Sequence, residues 1–157
     1  MRKLDSFKTI GANSLNEWHK IRNPFRVIFN FILIFVSRYS PSLALKRFLL
    51  RLTGMKIERN VSIALMVNFD VFWPELISIK ENSIIGFNAT ILAHEFLIKE
   101  YRTGKVEIGR NVLIGANSTV LPGVRIGDNS VVSAMSLVNK SVPRNSFYGG
   151  IPIKKLR

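Results

Sequence analysis

Residues 108–138 read IGRNVLIGANSTVLPGVRIGDNSVVSAMSLV, and an aliphatic residue returns in them at every sixth position. The series is Ile108, Ile114, Val120, Ile126, Val132 and Val138. Four places after each stands a small or β-branched residue: Val112, Ser118, Val124, Ser130, Ser136 and Val142. The same step runs upstream through Ile57, Ile63 and Phe69, then through Ile79, Ile85 and Ile91. A helix repeats every ~3.6 residues and a half-buried strand every two, so neither accounts for a strict six. Six residues do form one flat side of a triangular coil, a short strand pointing its aliphatic residue inward and then a turn. Three such sides close a coil, and stacked coils bury a column of Ile and Val. The expected fold is therefore mainly β, a left-handed parallel β-helix (a hexapeptide-repeat solenoid), preceded by an N-terminal helical segment.

The phase breaks twice. Four residues are inserted at Trp73-Pro74-Glu75-Leu76-Ile77-Ser78, and Ile108 follows Ile91 by seventeen positions where a multiple of six is expected. Insertions in a solenoid are loops thrown out from a corner, where binding residues collect. The expected organisation is an N-terminal arm and basic apolar helical hairpin over 1–55, the solenoid over 56–148 with a loop at 94–105, and a basic tail at 149–157.

The hairpin is read from Phe25–Val36, apolar apart from Arg26 and Asn30, and from a second helix spanning Ser42 to Thr53. Ser40 and Pro41 suit the N-cap and first turn of that second helix, and Gly54 its C-terminal end. The first apolar run is too short to span a bilayer, which takes roughly 20 apolar residues. A solenoid needs its first coil covered, so the hairpin is expected to cap it. Lying on a membrane surface through residues 25–53 is compatible with that role.

Charge supports the second half of this reading. The formal net charge is +13, with 12 Lys and Arg against 3 Asp and Glu in residues 1–60, and 11 against 7 in the remainder. No recognition helix, RNA-binding aromatic set or zinc pattern accompanies the basic segment. An anionic membrane surface or a phosphorylated ligand therefore fits better than nucleic acid. The chain has no Cys, which excludes disulfides, a thiolate nucleophile and thiolate metal sites. Nothing near the start reads as a cleavable signal, and the expected location is cytoplasmic, peripheral to the inner face of the membrane.

Of the two histidines, His19 lies in the N-terminal arm and His94 where the regular coil gives way to the long loop. A neutral imidazole at a loop root can take a proton from a hydroxyl near neutral pH. Its other nitrogen needs an acceptor, for which Glu95, a main-chain carbonyl and a distant carboxylate are all open. Asn68, Asp70 and Glu75 are candidates to bind an acceptor's hydroxyls, Asp70 foremost. Turn capping is the alternative for all three.

Val106-x-Ile108-Gly109-x-Asn111-Val112-x-Ile114-Gly115-Ala116-Asn117-Ser118, Leu121-Pro122-Gly123-Val124-x-Ile126-Gly127-Asp128-Asn129-Ser130 and Val142-Pro143-x-Asn145-Ser146-x-x-Gly149-Gly150-x-Pro152-x-Lys154 carry a resemblance. From Lys56 to the C-terminus the chain resembles the hexapeptide-repeat O-acetyltransferases. It is most like the maltose/galactoside acetyltransferase-like group and the sugar acetyltransferases of polysaccharide assembly. The resemblance implies acetyl-CoA as donor, held between two subunits of a homotrimer, and His94 as general base towards a hydroxyl of a sugar or glycan precursor. It implies that Gly115, Ala116 and Ala134 line the pantetheine channel. Asn139 and Lys140 match a Thr-Lys pair near the nucleotide, and Lys154 and Arg157 match residues that contact the CoA phosphates. No metal is expected. Three positions depart from the pattern: Leu113 where Trp is common, Met135 in a normally bare turn, and Ile153 for a small residue.

Two other functions use the same fold. A carbonic-anhydrase-like metalloenzyme needs three His ligands per site, which one solenoid His per chain does not readily supply. A non-catalytic trimeric scaffold would bind partners through its basic hairpin and would not bind acetyl-CoA.

Overall fold

The computed structural model of the chain describes residues 2–157. A left-handed parallel β-helix occupies the chain from Lys56 onward, with three sheets as its faces. The first face stacks Lys56–Ile57, Ile77–Ile79, Val106–Ile108 and Arg125–Ile126. The second stacks Ser62–Ile63, Ile84–Ile85, Leu113–Ile114, Val131–Val132 and Phe147–Gly149. The third stacks Asn68–Phe69, Thr90–Ile91, Thr119–Val120 and Leu137–Val138. All pairs within the coils are parallel, and the six-step residues lie in register: Ile57 and Ile108 flank Ile79, for example. Every one of them is buried.

The turns explain the rest of the hexad. Three places after the inward residue the backbone turns left-handed, at Asn60, Asn82, Asn88, Asn111, Asn117, Asn129 and Asn145, with φ between 53° and 59°. Asn tolerates this conformation better than most side chains. At one corner the amides form a ladder: Asn82 donates to Asn111 (2.9 Å), Asn111 to Asn129 (2.9 Å) and Asn129 to Asn145 (3.0 Å). At the next corner Asn88 donates to Asn117 (2.9 Å). Met135, at φ 57°, takes the following rung and ends that ladder.

Ahead of the solenoid stand α1 (Trp18–Ile21), α2 (Pro24–Tyr39) and α3 (Leu43–Leu52). The N-cap of α3 is Ser42, whose hydroxyl accepts from the Leu45 amide, rather than Ser40. Ser40 instead accepts from the Ser42 amide, which fixes the link between the helices. Gly54 follows α3 at φ 99°, the left-handed residue that ends it. The hairpin covers the first coil through its basic side chains. Lys46 Nζ donates to the Ala64 carbonyl (2.7 Å), Arg47 to Val61 (3.0 Å) and Arg51 to Ile57 (2.8 Å). Cations thus satisfy carbonyl oxygens on the first coil. Burial of Lys46 lowers its ammonium pKa.

The 94–105 insertion is an ordered hairpin, His94–Phe96 against Glu100–Thr103, not an irregular loop. The N-terminal arm supplies its third strand: Asp5–Lys8 pairs antiparallel with Glu100–Thr103. A polar, aperiodic tetrapeptide becomes a strand there because the hairpin offers it a free edge. At the other end the basic tail does not trail away. Lys154–Lys155 folds back antiparallel on Tyr148–Gly149, and Ile153 is buried beneath the last coil. Its bulk closes the open end of the Ile and Val column, which accounts for an aliphatic residue at that position.

Candidate active site

The register of the third face builds the site. Phe69 pairs with Ile91, so the segments that leave the face after them, Asp70-Val71-Phe72-Trp73 and Leu92-Ala93-His94, run side by side at one corner. Asp70 Oδ1 accepts from the amides of Phe72 and Trp73, each at 2.9 Å. Its Oδ2 accepts from the Ala93 amide (2.8 Å) and is hydrogen-bonded to His94 Nδ1. The Asp70 side chain is 0% exposed. Burial alone would raise its carboxyl pKa. The hydrogen bond from His94, the charge that ring carries when protonated, and the amides of Trp73 and Ala93 outweigh burial and hold it below the usual carboxylate range.

An ionised carboxylate only accepts, so Nδ1 carries the imidazole proton and Nε2 keeps its lone pair. Among the described residues no donor is hydrogen-bonded to Nε2, and the His94 side chain is 14% exposed. An aromatic wall surrounds the ring: Phe72 at 5.0 Å, Trp73 at 5.1 Å and Phe96 at 4.7 Å between centroids. Tyr101 stacks on Trp73 (5.6 Å, 16°) and Phe7 on Tyr101 (4.9 Å, 16°), which carries the wall out to the N-terminal strand. The result is a basic nitrogen held in one tautomer, at an apolar edge, with access to solvent.

The acceptor candidates separate. Asp70 has both oxygens committed to the protein, so it orients the histidine and leaves no oxygen edge open to an incoming hydroxyl. The sequence reading placed it in the acceptor pocket, and the structure corrects that to a positioning contact. Glu75 is exposed and paired with Arg22 (2.5 Å), whose guanidinium also lies 5.3 Å from the Trp73 ring. Asn68 is half-buried on the third face, its amide 3.4 Å from the Met66 carbonyl. Glu95, one of the options for fixing the His94 tautomer, is instead paired with Arg2.

The expected donor residues fall on two corners. Gly115, Ala116 and Ala134 stack together between the second and third faces: Met135 N donates to Ala116 O (2.9 Å), and a Cβ on Gly115 would lie 2.3 Å from Ala134 N. Asn139 and Lys140 follow the third face, on the corner that carries His94 two coils earlier. Asn139 Oδ1 is buried without a protein partner and Lys140 is exposed. Lys154 and Arg157 are exposed beside Phe147–Gly149 at the end of the second face. A groove of about 1010 Å³ lies elsewhere, between Arg2–Asp5 and the corner residues Gly123–Asp128 and Ser141–Arg144, and none of the expected donor residues lines it.

The sequence leaves a distant carboxylate open as the partner of His94 without joining Asp70 to it, and it gives no sign of the aromatic wall, Phe72, Trp73 and Phe96. The available signal was the coil phase itself, since residues that follow Phe69 and Ile91 must be neighbours once those two are paired. Among the described residues no group of three or more His, Asp or Glu side chains could hold a metal ion.

Comparison with known proteins agrees with this architecture. The family model described as "Bacterial transferase hexapeptide (six repeats)" matches residues 105–140. The protein named "Putative acetyltransferase YvoF" of Bacillus subtilis is 53% identical over 157 residues, covering 98% of this chain and 90% of its own. Galactoside O-acetyltransferase of Escherichia coli is 38% identical over 105 residues, 66% of this chain and 52% of its own. Two solved structures share the fold. The hexapeptide-repeat acetyltransferase VCA0836 of Vibrio cholerae, complexed with acetyl coenzyme A, has a TM-score of 0.72 at 22% identity over 85% of this chain and 86% of its own. A galactoside acetyltransferase in complex with coenzyme A has a TM-score of 0.68 at 23% identity, over 98% and 86%. Six-step repeats, a closed three-sided coil and a full-length relative at this identity lead to one assignment: the chain belongs to the hexapeptide-repeat acetyltransferases.

Proposed function

We propose that this acetyltransferase moves an acetyl group from acetyl-CoA to a hydroxyl of a sugar or glycan precursor, with His94 as the general base. The observation that carries the reading is the Asp70–His94 pair, which commits Nδ1 and leaves the lone pair of Nε2 without a protein partner among the described residues. The donor supplies an activated acetyl thioester. Nε2 takes the acceptor's hydroxyl proton as the acceptor oxygen attacks the thioester carbonyl, Asp70 stabilises the imidazolium that results, and the C–S bond then breaks as the imidazolium returns the proton to the departing CoA sulfur. Phe72, Trp73 and Phe96 exclude water from one side of the ring and offer apolar surface to a sugar face.

The residues present fit the donor. Glycines and alanines at the 115–116 and 134 corner leave room for a thin pantetheine arm, and the exposed Lys154 and Arg157 can meet phosphate. His94 and that corner lie on opposite edges of the third face, so a cleft containing both walls is completed by a neighbouring protomer. The outward side of the second face supports a homotrimer: Ile84, Leu113, Val131 and Phe147 stand in one row there, with Ile84 and Leu113 exposed in the single chain. The first face presents Lys56, Ser78, Glu107 and Arg125 in the equivalent places. An apolar row of this kind is what a closed symmetric interface covers.

A panel of sugars and nucleotide-sugars incubated with acetyl-CoA tests the reading through release of free thiol. Acceptor-dependent release by a subset of sugars is the expected result. Acetyl-CoA binding without release for any hydroxyl acceptor would contradict it.

A further inference from the structure

Helices α2 and α3 leave a wide apolar face turned away from the solenoid they cap. The side that meets the solenoid is half polar or charged: Asn30, Ser37 and Lys46 are buried beside Val27, Ile34 and Leu50. Asn30 donates to the Val71 carbonyl, and three cations hold carbonyls on the first coil. The side that faces away carries Phe25, Ile28, Phe29, Phe31, Ile32 and Phe35, each exposed, Phe25 to 83%. The rings form a continuous row, Phe31 to Phe35 at 5.9 Å and Phe35 to Tyr39 at 5.1 Å. Soluble chains rarely leave so contiguous an apolar surface uncovered.

Charge identifies what covers it. Between Glu17 and Glu58 the sequence has eight Lys and Arg and no Asp or Glu. Carbonyl partners carry no formal charge, so the cations that hold the first coil leave the hairpin's positive charge uncompensated. Arg26 lies 5.6 Å from the Phe29 ring and Arg38 5.6 Å from Tyr39, cations set at the border of the aromatic surface. A second copy of the chain would bring the same positive charge to the same face and be repelled. At 16 residues α2 is about 24 Å long, and no helix among the described residues is long and apolar enough to cross a membrane. An amphipathic helix of this kind lies in the plane of the interface.

We propose that the outer face of the α2–α3 hairpin is a docking surface for an anionic lipid bilayer, with the phenylalanine row set into the acyl boundary and the arginines among the headgroups. The proposal is independent of the acceptor and of the role of His94. Because Asn30 holds Val71 and the next two residues wall His94, docking would bring that corner close to the lipid surface.

Flotation of the full chain with phosphatidylcholine vesicles, and with vesicles containing phosphatidylglycerol, tests it. The native protein should float with the anionic vesicles, weakly with the zwitterionic ones, and less as salt rises. F31S/F35S should lower binding by about tenfold or more while the thermal melt is unchanged. Phe25→Ser, at the most exposed position of the row, gives the same reading if the double variant folds poorly. No flotation with either vesicle, or a folded variant that floats like the native chain, would overturn the proposal. So would a native assembly larger than that of F31S/F35S in the absence of lipid, which would assign the face to a second copy.

Discussion

Asp70 Oδ2 accepts two hydrogen bonds, from the Ala93 amide and from Nδ1 of His94, so one buried oxygen fixes both the chain leading to the histidine and the ring itself. The two residues are 24 apart in sequence and meet because Phe69 and Ile91 are neighbours on the third face.

Asp70→Asn tests the orienting role. An amide can present its NH2 to Nδ1 and so favour the wrong tautomer, leaving the lone pair on the nitrogen that faces inward. The expected result is a fall in kcat of about 100-fold or more, with KM for acetyl-CoA little changed. The pH dependence of kcat should change shape as well, which a purely structural defect would not produce.

The same carboxylate sets a pH dependence of stability. Its folded-state pKa is lowered, so its contribution is fully present above the unfolded value of about 3.9 and is lost as pH falls through the lower folded value. Urea unfolding of native and D70N protein should give a stability difference that is constant near neutrality. The difference should shrink as the pH is taken below about 4. A difference unchanged in acid would contradict this.

Stacked corners make their own prediction. A Cβ on Gly115 would stand 2.3 Å from the Ala134 amide nitrogen, backbone against backbone with no flexible atom to yield. Gly115→Val should destabilise by about 1–3 kcal/mol or more and raise KM for acetyl-CoA. Thermal unfolding and saturation curves on one preparation report both effects.

The column of inward residues was legible from the sequence because its period is local and each member is apolar. Ile57 to Val138 could be placed one by one without knowing any long-range contact. The left-handed turns were also written there, as Asn three places after the inward residue. What depended on the insertions was not legible. The hairpin at 94–103 carries no period, and its third strand, Asp5–Lys8, exists only through pairing between segments about ninety residues apart. Asp70 is legible as a turn-capping acid, and its Oδ1 does cap the turn at Phe72 and Trp73; that its Oδ2 meets Ala93 and His94 depends on the pairing of Phe69 with Ile91. That the hairpin caps the first coil follows from the need to cover it, but which of its cations turn inward depends on the free carbonyls of Ile57, Val61 and Ala64, which no pattern in the sequence marks.

Oligomerisation is testable at the second face. Leu113→Glu adds a charge to the centre of the Ile84, Leu113, Val131 row and should convert a trimer to monomer by light scattering after size exclusion. Transfer activity should be lost with it if, as proposed, the donor cleft takes one wall from each of two protomers. A native chain that elutes as a monomer would remove the shared cleft.

The central claim is that His94 Nε2 takes the acceptor's proton. Thiol release from acetyl-CoA by His94→Ala, on the sugar that serves the native protein best, measures this most directly. A loss of kcat of about 1,000-fold or more is expected, with CoA binding and cooperative unfolding retained and a melt lowered by the partner that Asp70 loses. A folded His94→Ala protein that transfers acetyl groups at the native rate would contradict it.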